Sequence, residues 1–545
     1  MKPYFTNVLD VILKNGPINN NSKTVPEYIL QGEELNLQIV IPPIETDLDS
    51  YEIMYELNSE IKNYTNLYLV EFVKPKNIID EQIDEDHIIN SDNLYPDRLK
   101  KINLSGSIEI KKNEWTTFWL SIKSLDFYTK QDIKIIFNLT SFSKKEEITF
   151  KTKVIDKILP KSNIYHTEWL HTDSLCQYYN INPFSEEYWY VVENYIKLAY
   201  DHSQNMVLTP IFTPALDTEE NEERQTIQLI NVKKIKGEYF FDFSNLTKWS
   251  NMLKRIGIEN IEFPPFFTQW GAKFTPKIIV SENGKDVKEF GWHVPYDSDS
   301  YRVFLRKFLP ELDKWIVENG WINHAFIHIS DEPNNDSVTN YQSGKKIISE
   351  NLHNVKYIDA LSEFIYYEQN LVDIPIVGTP SIDKFISEDV KNIWCYYCGV
   401  HNNKVSNRYV DQYPRRTQII GLQMYRYDIK GFLHWGYNYW FTELSKKFID
   451  SFENFGGEDE LPAGDAFVVY PGPDYTVYPS IRLKLIFEAF QDIRICTLSE
   501  KYIGKDSVLR VINGKLPDLD FNTHGKILEN LTDIRNELKL MLVDE

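Results

Sequence analysis

Apolar segments of strand length alternate with amphipathic segments between residues 163 and 440, and this alternation restricts the fold more than any other feature. Helical periodicity separates most of the apolar segments, as in 185–203, 245–257 and 338–352. The eight apolar segments are NIYHTEWLH (163–171), NMVLTPIFT (205–213), NIEFPPF (260–266), HAFIHISDE (324–332), VKYIDAL (355–361), IPIVGTP (374–380), NIWCYYCG (392–399) and GFLHWGYNYW (431–440). Eight strands with intervening helices predict a (β/α)8 TIM barrel.

The chain outside these segments has a different pattern. Short β-type runs dominate up to Ile158, and polar Asn- and Asp-rich connections separate them, which is typical of an antiparallel β-sandwich. The runs are 36–42, 67–73, 115–122, 132–139 and 147–155. We therefore predict a β-sandwich domain over 1–158, ending in a linker at 156–163, and a barrel domain with C-terminal helices over 159–545. Within the second domain, 226–243 and 272–294 read as hairpin insertions, and helix is predicted from Pro479 onward.

Charge and hydropathy exclude several classes of partner. The formal net charge is -21, whereas nucleic-acid binding requires a basic surface. We find neither a signal peptide nor an apolar window of membrane-spanning length, so we predict a cytoplasmic protein without a membrane span. The sequence contains 12 Trp, 34 Tyr and 31 Phe, a content that favours carbohydrate binding weakly. Oligomeric state is not predicted.

Four cysteines are too few and too scattered for a disulfide framework. Cys395 and Cys398 form a C-x-x-C, but it continues a strand, whereas the thioredoxin motif opens a helix. No second C-x-x-C completes a zinc site. We predict neither redox nor zinc chemistry, and no cofactor.

Two adjacent carboxylates, Asp331 and Glu332, end the fourth predicted barrel strand. Like charges side by side raise each other's pKa, and barrel enzymes place their chemistry at the C-terminal ends of strands. Pro333 biases Glu332 away from the right-handed helical region, so the backbone is expected to stay extended through the pair. Both acids can then reach one site only if the strand bends or bulges. A turn in which Asp331 caps the next helix is the alternative.

Polar and aromatic residues gather at other predicted strand ends, which favours a site over a turn. They are His166, Glu168, His171, Asp173, Glu262, Tyr396, Tyr397, His434, Trp435, Tyr437, Asn438 and Trp440. A metal site using the His and Asp residues of the first strand is a competing hypothesis. A metallohydrolase would need more His at other strand ends, where only His328 and His434 are good candidates, so we predict no metal.

Five motifs in this order resemble glycoside hydrolase family 123, which is linked to the domain of unknown function 4091. They are EWLHTDSL (168–175), FIHISDEP (326–333), GFLHWGYNYW (431–440), GDAFVVYPGPD (464–474) and PSIRLKLIFEAFQDIRI (479–495). The β-sandwich before the barrel is also similar to the architecture of that family. The resemblance implies a retaining exo-β-N-acetylgalactosaminidase acting on a small oligosaccharide or glycoconjugate. It also implies substrate-assisted catalysis, in which the sugar's 2-acetamido oxygen is the nucleophile and forms an oxazolinium ion.

The resemblance also implies roles for individual residues. Glu332 corresponds to the general acid/base, and Asp331 to the residue that orients the acetamide and balances charge on its nitrogen. An ionised Asp331 would keep Glu332 protonated. The predicted substrate-binding residues are His171, Asp173, Glu262, Trp270, Tyr396, Tyr397, Trp435, Tyr437 and Trp440. Tyr396 or Tyr397 would donate to the acetamide oxygen, and Trp435 or Trp440 would form a wall for the sugar.

Two other functions stay open at this point. One is a carbohydrate-binding protein that has lost turnover. The other is a glycosidase for sugars without the acetamide, which would need a separate nucleophile such as Glu262. The exact glycan and the preference between GalNAc and GlcNAc are not predicted.

Overall fold

The structure is a computed structural model. It describes residues 2–18, 24–59, 61–75, 86–123, 132–142, 144–401, 405–454, 461–522 and 531–543. No helix in these ranges combines the length and the apolar character needed to cross a bilayer.

The N-terminal region is built from antiparallel strands. In chain order they are β1 (Tyr4–Thr6), β2 (Val11–Leu13), β3 (Gly16–Ile18), β4 (Tyr28–Gln31), β5 (Leu35–Ile41), β6 (Ser50–Ser59), β7 (Thr65–Val73), β8 (Tyr95–Ile102), β9 (Ser105–Lys111), β10 (Thr116–Ile122), β11 (Ile133–Ser141) and β12 (Lys144–Ile158). Two five-stranded sheets form, with orders β1-β5-β10-β7-β8 and β4-β12-β11-β6-β9. Only the β4–β12 pair is parallel within them.

One apolar cluster lies between these two sheets. Alternate residues point inward, so that Phe118 and Leu120 of β10 meet Ile135 and Phe137 of β11. All five predicted strands of this region are present, and the sequence patterns missed β1, β2, β3, β4, β6, β8 and β9. The last strand ends at Ile158, and the domain boundary placed there stays a prediction.

The second region contains the barrel strands and most of the helices. The strands are β13 (Tyr165–Glu168), β14 (Met206–Leu208), β15 (Asn231–Ile235), β16 (Glu238–Asp242), β17 (Asn260–Phe263), β18 (Ile278–Glu282), β19 (Lys285–Phe290), β20 (Ala325–Ile327), β21 (Lys356–Leu361), β22 (Ile374–Gly378), β23 (Trp394–Tyr396), β24 (Gly431–His434), β25 (Val469–Pro471) and β26 (Val477–Pro479). The helices are α1 (Thr172–Tyr179), α2 (Glu186–Asp201), α3 (Ser244–Ile256), α4 (Asp299–Glu318), α5 (Val338–Ser349), α6 (Ile365–Glu368), α7 (Ile382–Ser387), α8 (Pro414–Gln418), α9 (Ile420–Arg426), α10 (Ile481–Ile503), α11 (Lys505–Lys515) and α12 (Leu531–Val543).

Eight of these strands form a near-closed parallel barrel with the order β13-β24-β23-β22-β21-β20-β17-β14. At the seam, the Asn205 backbone N–H donates to the His166 carbonyl at 3.2 Å, and the His166 N–H donates to the Asn205 side chain at 3.0 Å. The eight predicted segments each contain one barrel strand, which confirms a barrel after an N-terminal β domain. Most of the observed strands are shorter than the predicted segments, whose C-terminal ends continue as loops above the barrel.

Both predicted hairpins are present and join one four-stranded sheet, with the order β16-β15-β18-β19. The long helix α10 lies against the N-terminal strands through buried ion pairs. Arg482 pairs with Asp97 at 2.9 Å, and Lys484 pairs with Glu34 at 3.0 Å. These charges are nearly inaccessible to water, so separating either pair would leave an uncompensated buried charge. This cost holds the two regions in contact.

Candidate active site

A cleft of about 210 Å³ opens where the barrel strands end. Barrel enzymes carry their active sites at this edge because the loops after the strands converge there. Side chains from several strand ends line it, including Trp169, His171, Asp217, Gln269, Trp270, Asp331, Glu332, Tyr396, Cys398, Trp435 and Asp465.

The backbone around the acid pair explains how two consecutive carboxylates reach this cleft. Strand β20 ends at Ile327, and Glu332 adopts a left-handed conformation with φ of 45°. The expectation of an extended backbone is therefore wrong at Glu332. The left-handed turn costs about 1–2 kcal/mol in a residue with a Cβ, and it breaks the alternation of side-chain directions. The Trp270 N–H donates to the Asp331 carbonyl at 2.8 Å and holds the turn in place.

The two carboxyl groups titrate as a pair. Burial raises the pKa of Asp331 well above its usual range, and the nearby Glu332 raises it further. Burial also raises the pKa of Glu332, although hydrogen bonds from the side chains of Tyr396 and Trp270 oppose that rise. Tyr396 donates to Glu332 Oε1 at 2.8 Å. The pair therefore retains a proton at a pH where isolated carboxyl groups have lost theirs, as a general acid requires.

A buried histidine lies beneath the pair. His328 Nδ1 is 2.9 Å from Asp359, and its Nε2 is 2.6 Å from Glu262. Burial alone would lower the pKa of His328, but the hydrogen bonds to Asp359 and Glu262 raise it to about 10. The resulting imidazolium lowers the pKa of Asp331, so it favours the anionic form of that carboxyl.

A second set of contacts orients Trp435 in the cleft wall. Its indole N–H donates to Asp465 Oδ2 at 2.9 Å, and its carbonyl lies 2.8 Å from His171 Nε2. Burial, together with repulsion from Arg224, lowers the pKa of His171 to about 3, so the ring is neutral. Since His171 Nδ1 lies 3.1 Å from the Arg224 guanidinium, it acts as an acceptor, and Nε2 carries the proton given to Trp435. Trp435 therefore has a fixed ring orientation.

The sequence of the barrel region matches that of a known enzyme family. The model of the catalytic domain of glycoside hydrolase family 123 matches residues 169–499, which include the acid pair, Trp435 and Asp465. The chain belongs to glycoside hydrolase family 123. It is accordingly an enzyme that hydrolyses glycosidic bonds. No curated protein is significantly similar in sequence.

One solved structure shares the fold of this chain over nearly its full length. A family 123 glycoside hydrolase from Clostridium perfringens, studied for glycolipid glycan hydrolysis, has a TM-score of 0.75 at 18% identity, covering 99% of this chain and 98% of that chain. A β-glucuronidase from Parabacteroides merdae reaches a TM-score of only 0.32 at 11% identity, covering 90% of this chain and 52% of its own. The first match supports the fold over the whole chain.

Six predicted site residues of this family 123 chain line the cleft: His171, Trp270, Asp331, Glu332, Tyr396 and Trp435. Five others do not: Asp173, Glu262, Tyr397, Tyr437 and Trp440. All five are buried, so the structure places them below the cleft surface, and their contact with the sugar stays a prediction.

Each of these five residues is engaged below the cleft surface. Glu262 accepts from Thr167 at 2.6 Å and from Trp169 at 2.8 Å in addition to its contact with His328. Asp173 pairs with Arg224. Tyr397 follows Tyr396 directly and points away from the cleft, where it packs on Phe432 and His434. Tyr437 donates to the Tyr195 carbonyl. Trp440 packs on Tyr178 and Tyr195. Glu262 is thus unsuited to be a nucleophile in this geometry.

Several cleft residues were missed from the sequence, among them Trp169, Asp217, Gln269 and Asp465. Asp465 and Trp169 lie inside motifs that were recognised, so position within a motif was the available signal. Asp217 and Gln269 lie in loops after β14 and β17 and carry no local pattern. Their placement depends on how the loops fold over the barrel.

Two carboxylates, Glu168 at the end of β13 and Asp173 in the following helix α1, form ion pairs with arginines. Glu168 pairs with Arg408 at 2.7 Å, and Asp173 pairs with Arg224 at 2.7 Å. Burial alone would raise the pKa of Glu168, but Arg408 and His166 lower it to about 2. Within the described ranges, no group of three or more His, Cys, Asp or Glu side chains is arranged to hold a metal ion.

We expect activity to survive exhaustive dialysis against EDTA and to gain nothing from added Zn²⁺ or Mn²⁺. The physical reason is that Arg224 and Arg408 occupy the carboxylates that a metal at the first strand would need. The measurement is the rate of aryl glycoside hydrolysis before dialysis, after dialysis and after adding back each metal. Loss of activity with recovery on adding metal would restore the metallohydrolase hypothesis.

Proposed function

We propose that the protein is a retaining exo-glycosidase that removes terminal β-linked N-acetylgalactosamine by substrate-assisted catalysis. The observation that carries the proposal is that two adjacent carboxyls, Asp331 and Glu332, line one cleft. Their surroundings differ, because His328 favours the anion of Asp331 and the side chains of Tyr396 and Trp270 donate hydrogen bonds to Glu332. We also assign the elements that alternate along 165–434 to a complete (β/α)8 barrel. A small oligosaccharide or glycoconjugate is the substrate class.

In the first step, Glu332 donates its proton to the glycosidic oxygen as the bond to the anomeric carbon breaks. The acetamide oxygen of the sugar attacks that carbon from the opposite side, which forms an oxazolinium ion and releases the aglycone as an alcohol. Asp331 accepts a hydrogen bond from the acetamide N–H and balances the positive charge that develops on the nitrogen. In the second step, Glu332 takes a proton from water as the water oxygen attacks the anomeric carbon. This attack opens the oxazolinium ring, restores the acetamide and gives net retention of configuration at the anomeric carbon.

The position of the shared proton changes during this cycle. Without substrate, burial raises the pKa of both carboxyls and repulsion from Glu332 raises that of Asp331 further, so the pair retains a proton. A bound acetamide whose nitrogen becomes positive favours an anionic Asp331, and the His328 imidazolium beneath favours it further. An anionic Asp331 then raises the pKa of its neighbour, so the proton resides on Glu332 when it is needed.

The state of Glu262 supports this mechanism over one with a separate nucleophile at that position. Its carboxylate is inaccessible and accepts hydrogen bonds from Thr167 and Trp169. A glycosidase that acts on sugars without the acetamide would need another carboxylate on the far face of the sugar ring. Asp217 and Asp465 are two other carboxylates that line the cleft.

The experiment is hydrolysis of p-nitrophenyl glycosides: β-GalNAc, β-GlcNAc, α-GalNAc and β-galactoside. We expect release only from the 2-acetamido β-sugars, because the acetamide supplies the nucleophile. An Asp331→Asn preparation purified in parallel controls for contaminating glycosidases, because its loss of activity does not depend on the leaving group. Equal rates on β-galactoside and β-GalNAc would contradict substrate assistance, and no release from any glycoside would favour the inactive binding protein.

A further inference from the structure

Asp217 enters the cleft from the loop after β14, and its backbone is held from both sides. Its φ is 42°, a left-handed conformation that non-glycine residues adopt at a cost. Its N–H donates to Gln269 Oε1, and its carbonyl accepts from Ser445 Oγ at 2.5 Å. Three loops therefore combine to fix one residue.

These contacts determine where the carboxylate lies. One oxygen of Asp217, Oδ2, accepts from the Leu444 N–H at 3.2 Å, and the side chain lines the cleft. Burial raises the pKa of Asp217, although Tyr439 and Arg224 oppose that rise. A group that donates a hydrogen bond to the carboxylate from the cleft would stabilise its charged form.

The nearest buried cation is already paired. Arg224 donates through Nε and one terminal nitrogen to Asp173, at 2.7 Å each, and that nitrogen also lies 3.1 Å from His171. Among the described residues that line the cleft there is no Lys or Arg. An anionic substituent beside Asp217 would therefore meet a carboxylate of the same charge without a compensating cation.

Gln269 adds a second and independent observation. It is 6% exposed and lines the same cleft, and its Nε2 has no hydrogen-bond partner among the described residues. The contact of its Oε1 with the Asp217 N–H fixes which end of the amide is the donor. A buried donor without a partner is costly, by about 1–3 kcal/mol, and such groups call for a ligand or another explanation.

We propose that Asp217 is a specificity-determining residue that accepts a hydrogen bond from a ring hydroxyl of the terminal sugar and excludes sugars with a sulfate at that position. Gln269 is the positioning residue that holds Asp217 and presents an amide donor beside it. The inference rests on the proposed function, since it concerns the sugar cleaved in the same cleft. It identifies the substrate as a neutral, unsulfated terminal sugar.

The test compares wild type with Asp217→Asn, which keeps the size of the side chain and an oxygen for the Leu444 N–H. The substrates are aryl β-GalNAc, its 3-, 4- and 6-deoxy analogues, and its 3-, 4- and 6-O-sulfated forms. Asp389→Asn is the matched control, because its side chain is 83% exposed and lies outside the cleft. We expect the control to cleave every substrate as the wild type does.

For Asp217→Asn we expect kcat/KM on the parent sugar to fall by about 10–100-fold, the range of hydrogen bonds to charged groups. For one deoxy analogue, the wild-type kcat/KM should be lower than that on the parent sugar by a similar factor. The variant should show little difference between that analogue and the parent, because the contact that the missing hydroxyl would make has already been removed. Wild type should cleave the sugar that carries a sulfate at the same position at least 100-fold more slowly than the parent sugar. In the variant the difference between these two substrates should be smaller.

Two results would overturn the inference. One is an equal loss for Asp217→Asn on every substrate, which would mean that Asp217 only holds the loop. The other is wild-type cleavage of all three sulfated sugars as fast as the parent. If wild type cleaves no acetamido sugar, the proposed function fails by itself, and the same comparison is made by calorimetry of GalNAc and its three deoxy analogues binding to wild type and variant. Identical affinities of the two proteins for all four sugars would then overturn the role of Asp217.

Discussion

Replacing Glu332 by Gln is expected to lower kcat by about 10²–10⁴-fold for substrates with a poor leaving group, since that is the usual contribution of general acid catalysis. Aryl glycosides with activated leaving groups should lose less in the first step, because their oxygen leaves without a proton. Tyr396 still has an oxygen to donate to in the amide, so the variant retains the local hydrogen bond seen at 2.8 Å. The measurement is kcat for a series of leaving groups.

The pH profile provides a second readout for Glu332. A general acid acts in its protonated form, and burial raises the pKa of Glu332 above its usual value. Activity of the wild type should therefore fall as pH rises through that raised pKa, and this limb should be absent from Glu332→Gln. Glu443→Gln, at an exposed position of the cleft rim, is the matched control and should retain both activity and limb. Equal losses on good and poor leaving groups would argue against Glu332 as the acid.

Asp331→Asn is expected to slow turnover by about 10²–10³-fold, the scale reported for removing one group that stabilises developing charge. The carboxylate balances charge on the oxazolinium nitrogen, and an amide of the same size does not. A thiazoline analogue of GalNAc resembles this intermediate and should bind the wild type much more tightly than GalNAc does. The variant should bind the thiazoline more weakly while its affinity for GalNAc changes less.

A covalent probe separates this mechanism from double displacement. A 2-fluoro sugar with a good leaving group traps a carboxylate nucleophile as a glycosyl ester, and mass spectrometry locates it. We expect no adduct on Asp217, Asp465 or Glu262. An adduct on any of them, or thiazoline binding no tighter than GalNAc, would rule out substrate assistance. The Asp331→Asn protein serves as the matched sample, since it keeps all three other carboxylates.

Local sequence patterns were sufficient for most of the architecture. Each barrel segment was marked by an apolar run such as that around β21, and α2 and α3 by helical periodicity, because burial on one or both faces leaves a period in the sequence. Strands β6 and β9 were missed. Strand β6 alternates buried and exposed residues, and β9 has a single buried residue, Ile110, so neither strand contains a continuous apolar run.

The sequence by itself determined the eight strands, the two hairpins, the family motifs and the importance of Asp331 and Glu332, because these depend on residues close together in the chain. Only the tertiary structure decided which rim residues face the cleft. Tyr396 faces it and Tyr397 does not, since neighbours at a strand end point opposite ways and the barrel sets which side is inner. Burial of Glu262 under His328, and the entry of Asp217 and Gln269, depend on contacts between segments far apart in sequence, where no local pattern exists.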